Sequence, residues 1–482
     1  VNSRVAEEQD MDCDGVVHVD NAVLTNSSNA ENTVAKCMIF AGTSSMGFLS
    51  QSFAFESPTA AVDGMLLELN AHSRVRATER VALTAARGRF LATSITTDRP
   101  SPAFDYSAMD GYALRMADIA SSTELWQSSD SLTLCVLGES CIGHQPSPMN
   151  AAPCAMRIAT GAAIPSGADT VLKREDAGEI GQVQSTTAIN ITRTTAAKIR
   201  TGQNIRRAGE NAHAGSIVVQ EGTLLGAAAM GTLAAVGESS PLVATRLRVV
   251  IITTGDELVD CDAVPDRFEI RNSNAPTLHA VLGSHAWIDV VRIVHVRDDG
   301  GDLGAVLQDA INAADAVVLS GGVSMGHRDQ VRDAVTTAGA KIVFHGLPQR
   351  PGKPMLGAVA TRVDGARIAI FGLPGNPISA LVTCVRIVVP VLAACAGARH
   401  WPDMPRIALA AIDDNTLDLW WHRLVRITAD GTAELVDGRG SGDIIAGGRS
   451  DGFIEIPPHA ANVGDASTAP TRACFRFYPW PT

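Results

Sequence analysis

A chain of 482 residues, 46% hydrophobic and 19% charged with a mean hydropathy of +0.11, has the composition of a globular protein with several domains. Asp and Glu number 51 against 39 Lys and Arg, and the resulting charge of −12 argues against general nucleic-acid binding or an anionic membrane surface. Nine scattered Cys with no C-x-x-C pair argue against a disulfide framework and a zinc ribbon.

Residues 1–53, rich in Ser, Asn and acids, read as a mobile extension whose early acids have the wrong sign for a signal peptide. From Ala60 to Leu91 the apolar positions suit two helices. Residues 96–204 alternate in short runs such as Leu132–Leu137 and read as an inserted β-domain. The small-residue helix Leu224–Val236 follows, and its surroundings rejoin the first helices, so that 54–95 and 205–246 form one linker and dimerisation domain. The stretches Leu224–Val236 and Ile387–Ala398 are too short to cross a bilayer, and a cytoplasmic protein is expected.

From 247 to 398, Val/Ile strands alternate with helices in the manner of a doubly wound parallel α/β sheet. Expected strands are Val249–Ile252, Val290–Val296, Ala316–Leu319, Ile342–Phe344 and Ile368–Phe371. Helices start near Ala275, Leu303, Asp329 and Pro377. Residues 399–482 read as a C-terminal β-barrel, with Asp413–Asn415 among its turns.

In such a sheet, ligands bind beyond the carboxyl ends of the strands. There the chain places Thr253 to Glu257, Asp298 to Gly300, Ser320 to Gly326 and Gly372 to Pro377. The Gly-rich loops, with Ser320, Gly321, Gly322, Ser324 and Gly326, present N–H groups to a phosphate, aided by the helix starting near Asp329. Neither a Walker loop nor a dinucleotide fingerprint is present. Asp256, Glu257, Asp298 and Asp329 offer hard oxygens without His or Cys, which favours magnesium over zinc, with Asp256, Asp298 and Asp329 as the metal set. Arg350-Pro-Gly-Lys353-Pro is a rigid basic turn, and Lys353, one of few Lys in an Arg-rich chain, suits an oxyanion.

Phe104 to Ala113 (FDYSAMDGYA), Thr160-Gly161 with Gly167 to Asp169, Arg206 to Glu210, Thr254 to Leu258, Ser320 to Gly326, Pro351 to Pro354 and Gly372 to Ser379 together resemble, in order, the motifs of the molybdenum insertases, the MoeA and gephyrin E-domain family. The resemblance covers about residues 55–395. It implies insertion of molybdate into adenylated molybdopterin with release of AMP, Mg2+ as cofactor, and four structural domains. It also implies a homodimer with shared active sites and a molybdopterin adenylyltransferase as partner. It further implies that Asp256, Glu257, Asp298, Asp329 and Asp110 are catalytic, and that Thr160 and Pro374, Gly375, Asn376 and Pro377 join the glycine loops in binding substrate. Arg350, Lys353 and Ser379 would hold molybdate. The sequence departs from the family at Tyr106, Asn211 and Arg350, and in the C-terminal part at Ile445 and Ala446, while Arg423 and Arg426 are open between a site role and a solvated strand. A molybdopterin adenylyltransferase-type enzyme and a non-catalytic scaffold of the same family are the competing readings.

Overall fold

The computed structural model describes residues 53–71, 76–121, 129–151, 153–182, 185–298, 301–323, 329–411, 415–458 and 473–481. The extension up to residue 52, the loop residues Ser324 and Gly326, and the first two residues of the Asp413–Asn415 turn lie outside them.

Helix α1 (Pro58–Leu69) begins where the Ser57 hydroxyl accepts the Ala60 N–H at 3.0 Å and ends where Asn70 enters the left-handed region at φ 51°. Its buried face, Ala61, Met65 and Leu69, packs into the largest core. The second helix expected before Leu91 does not form. Only a short turn at Leu83–Ala85 is helical, while Phe90 and Leu91 make bridges to Leu224 and Val243. The apolar spacing there reflects one buried face of extended chain.

Thr78–Arg80 pairs with Leu242–Ala244, Ile95–Thr96 with Ile217–Val219, and Tyr106–Ser107 with Ile205–Arg206. Between them lie β1 (Gly111–Leu114), β2 (Ser131–Ser140), β3 (Cys154–Ile158), β4 (Thr170–Lys173), β5 (Gly178–Gln182) and β6 (Ser185–Thr192), in one sheet of order β4-β1-β3-β2-β6-β5. Helix α2 (Ala227–Ala235) buries Leu233 and exposes Ala227, Ala228, Gly231 and Ala234.

The central sheet contains β7 (Leu247–Thr254), β8 (Ile288–Val296), β9 (Ala316–Ser320), β10 (Lys341–His345), β12 (Leu356–Thr361) and β13 (Arg367–Leu373), in the order β8-β7-β9-β13-β12-β10. Helices α3 (Asn274–Gly283), α4 (Leu303–Ala313) and α5 (Gln330–Thr337) connect its strands. Strands β7 and β9 are covered on both faces, which explains their unbroken Val/Ile runs. The sheet is mixed and not wholly parallel, because β12 runs antiparallel to both neighbours. That strand escapes the sequence reading because Leu-Gly-Ala-Val-Ala is weakly patterned, although Asp364-Gly365 behind it is a hairpin signal.

Helix α6 (Pro377–Thr383) runs through a π turn at Cys384–Val388 into α7 (Val389–Cys395). Pro390 has no N–H for the carbonyl of Arg386, and the helix widens there. Pro377–Cys395 is the one helix among the described residues long and apolar enough to cross a membrane, yet 89% of it is buried in the fold, as expected of a helix apolar all round.

The C-terminal sheet comprises β14 (Arg406–Ala408), β15 (Trp420–Ile427), β16 (Ala433–Leu435), β17 (Gly452–Ile456) and β18 (Cys474–Pro479). It curls until Leu409 bridges Ala433, and it encloses Val425, Ile454 and Phe475. Its outer neighbour is β11 (Gln349–Arg350), lent by the central unit and paired in parallel with Trp420 and Trp421.

Candidate active site

The loops after β7, β9 and β13 meet at one sheet edge. Gly321 has φ 99° and Gly322 has φ 64°, and a Cβ on Gly321 would lie 2.5 Å from the carbonyl oxygen of Thr254, so the approach requires glycine. Ser320 is buried, and its hydroxyl donates to the Pro374 carbonyl at 3.3 Å while accepting from Asn274 Nδ2 at 2.8 Å. The same Asn274 nitrogen reaches the Gly375 carbonyl at 2.7 Å, so one side chain ties together two of the expected loops. Asn274 is absent from the sequence-based set. The available signal was Asn272-Ser273-Asn274 opening a helix. Thr254 Oγ1 and Asn274 Oδ1 are buried without a hydrogen-bond partner among the described residues, two orphaned polar atoms aligned along the same edge.

Asp256, Glu257 and Asp298 form an acidic pole. Burial first, then the charges of Asp256 and Glu257, push the Asp298 carboxyl above its ordinary value, with His295 opposing them. Arg297 stands 3.5 Å from Asp256. Asp329 belongs elsewhere: its Oδ1 caps α5 by accepting Arg332 N–H at 2.9 Å, and its Oδ2 stands 3.2 Å from His345 Nε2. Among the described residues no three His, Cys, Asp or Glu converge as a metal cluster. The expected metal trio of Asp256, Asp298 and Asp329 is therefore not assembled, because Asp329 is used at a helix start.

A cavity of about 590 Å³ opens between the central unit and the C-terminal sheet. Arg350, Lys353, Ser379, Pro374 and Asn376 line it, and so do Trp421, Arg423, Asp437 and Ser441. The basic turn is rigid for local reasons. Gln349, fully buried, donates to the Gly352 carbonyl at 3.1 Å, and a Cβ on Gly352 would lie 2.4 Å from Thr383 Cγ2. Asn376 Nδ2 donates to Ser441 Oγ at 2.9 Å across the two units. Arg423 stacks 4.4 Å above the Trp421 ring. Burial lowers its pKa, and the charge of Asp437 only partly offsets that. A cation disfavoured by its own surroundings is suited to an anionic ligand. Arg426, in contrast, pairs with Glu434 at 3.1 Å on the surface.

Asp110 and Thr160 come together with each other and are not part of the cavity wall. Asp110 Oδ1 accepts from Thr160 N at 2.7 Å and from its hydroxyl at 3.0 Å, and the Thr160 N–H is the main reason its carboxyl is held low. Pro377 starts α6, and Gly375 is exposed at the mouth of the loop.

Residues 59–237 match a family profile described as the MoeA N-terminal region (domain I and II), and residues 250–394 one described as a probable molybdopterin binding domain. The chain is 36% identical to the molybdopterin molybdenumtransferase of Nostoc sp., over 67% of this chain and 71% of that one. It is 33% identical to molybdopterin molybdenumtransferase 1 of Mycobacterium tuberculosis, over 67% of this chain and 75% of the relative. The fold is similar to the moeA protein of Pyrococcus horikoshii OT3, with a TM-score of 0.67 at 24% identity, covering 88% of this chain and all of that one.

Proposed function

The chain belongs to the MoeA family of molybdopterin molybdenumtransferases, the molybdenum insertases of molybdenum cofactor biosynthesis, and from that premise we propose how its residues divide the reaction. The substrate is adenylated molybdopterin, its phosphates lie along the Ser320 to Gly322 edge, and molybdate enters the basic cavity. Insertion at the dithiolene is accompanied by release of AMP.

One observation carries the reading. Arg350 and Lys353 in one turn, Ser379 on α6 and Arg423 on β15 line a single cavity, so that three separate parts of the chain bring cations and a hydroxyl to one place. Arg350 and Lys353 supply fixed positive charge to an oxyanion, Ser379 a hydroxyl, and the Trp421 face keeps the Arg423 plane in place. Ser324 and Gly326, outside the described residues, are assigned to substrate binding on the family motif alone, and Pro374, Gly375, Asn376 and Pro377 shape the pterin side.

The acidic pole fits Mg2+, which takes hard carboxylate oxygens and commonly shares them with substrate phosphates. Asp256 and Asp298 are its holders, with Glu257 orienting water and Asp329 acting through the α5 start. Bound there, the ion supplies charge neutralisation for the departing AMP.

We further divide the chain into 54–95 with 205–246, the inserted 96–204, 247–398 and 399–482, behind the extension of 1–53. The strand pairs joining residues 78–107 to 205–244 support the insertion. The exposed small-residue face of α2 supports a homodimer, in which Asp110 and Thr160 serve the partner's site. A molybdopterin adenylyltransferase is the donor of the substrate, and the compartment is the cytoplasm.

The test is to incubate the protein with adenylated molybdopterin, Mg2+ and molybdate and to measure AMP. Molybdate-dependent release is expected, and its absence overturns the proposal.

A further inference from the structure

Behind the cavity, the central unit and the C-terminal sheet are joined by buried charges that the scheme above leaves without a role. Glu455 on β17 is 3% exposed. Its carboxylate accepts from Arg386 Nε and, at 3.3 Å, Arg386 Nη2, from His422 Nε2 at 3.2 Å and from the Tyr478 hydroxyl at 3.4 Å. Arg386 also donates to Thr59 Oγ1 on α1 at 2.7 Å. Burial pushes the Glu455 carboxyl up, but the His422 hydrogen bond and the Arg386 charge hold it at about 2. Burial keeps His422 neutral, with Nε2–H donating and Nδ1 without a partner among the described residues.

Stability alone is a poor reason for such a cluster, since apolar replacements of buried ion pairs are often neutral or stabilising. Its placement gives a better one. His422 and Glu455 are direct partners in the antiparallel β15–β17 pair and share one face. Trp421 and Arg423, on either side of His422, take the opposite face of the strand, and all three residues border the cavity. Trp421 is also the register partner of Arg350. At the other end, Arg386 lies roughly two turns along the same helical run from Ser379. The cluster thus ties the strand that carries Trp421 and Arg423 to the helical run that carries Ser379, with His422 at the cavity border.

We infer that Glu455, with Arg386 and His422, is a positioning cluster that sets the gap between the Arg350, Trp421 and Arg423 wall and the Ser379 wall, and thereby tunes the site for molybdate. This inference rests on reading the cavity as the molybdate site.

The test uses the full chain and measures AMP release against molybdate and against adenylated molybdopterin separately. His422→Leu leaves Glu455 paired with Arg386, so the variant folds. It raises the KM for molybdate about tenfold while kcat stays within about threefold and the KM for adenylated molybdopterin is unmoved. His422→Gln, which keeps a donor to Glu455, restores the KM. Replacing Arg386, His422 and Glu455 together by Leu keeps the melting temperature while the KM for molybdate stays raised, which separates position from stability. An active wild type with an unmoved molybdate KM in folded His422→Leu overturns the inference, as does an equal loss for both substrates. A wild type without molybdate-dependent AMP release overturns the reading of the cavity itself.

Discussion

The acidic pole and the basic cavity are electrical opposites built in different ways. Asp256, Glu257 and Asp298 come from the loops of adjacent strands β7 and β8, and burial, then the charges of Asp256 and Glu257, raise Asp298. The basic cavity draws on two units, and burial lowers the pKa of one of its cations, Arg423. Each region is left out of balance in the sense that its proposed ligand corrects: a cation at one, an anion at the other.

The contrast can be broken by experiment. Arg423→Ala is expected to have the largest effect, lowering kcat/KM for molybdate about 100-fold or more because a preorganised charge is lost, as steady-state AMP release would show. Molybdate at 100 times its Kd should stabilise the wild type by about 2.7 kcal/mol, and Lys353→Ala should lose most of that gain in thermal melts without itself unfolding. Asn274→Ala should cost about 1–3 kcal/mol in denaturant unfolding, since it removes the donor to the buried Ser320 hydroxyl. The smallest effect has the most informative sign. Because the Asp298 carboxyl is raised in the folded state, its stability contribution is lost as pH rises from the ordinary value of 3.8 through the raised one. Asp298→Asn should therefore make the metal-free protein slightly more stable at pH 7 in denaturant unfolding, while weakening the response of AMP release to Mg2+. A loss of stability in that variant would remove the argument for an unbalanced acidic pole.

How much was legible beforehand follows the same division. Strand-end loops are local features, so Asp256, Ser320 and Gly375 could be placed on one edge from alternating Val/Ile runs alone. The basic turn was recognisable from Arg350-Pro-Gly-Lys353-Pro, but its far wall was not. Arg423 stayed ambiguous because a strand's two faces cannot be assigned to cavity or solvent until the sheet has docked. Asp329 shows the converse failure: an acid before a helix can cap or coordinate, and only its contacts with Arg332 and His345 decide. The antiparallel β12 was hidden because small residues carry little pattern, and Asn274 because one amide linking two loops leaves no periodic trace.

The strand β11 also has a consequence in time. Gln349 and Arg350 pair with Trp420 and Trp421, about 70 residues farther along the chain. During synthesis the basic turn leaves the ribosome well before the strand that completes its surroundings. On the proposed reading of the cavity, anion capture waits until the C-terminal sheet has folded back, and a tightly held molybdate would mark a chain that has finished assembling.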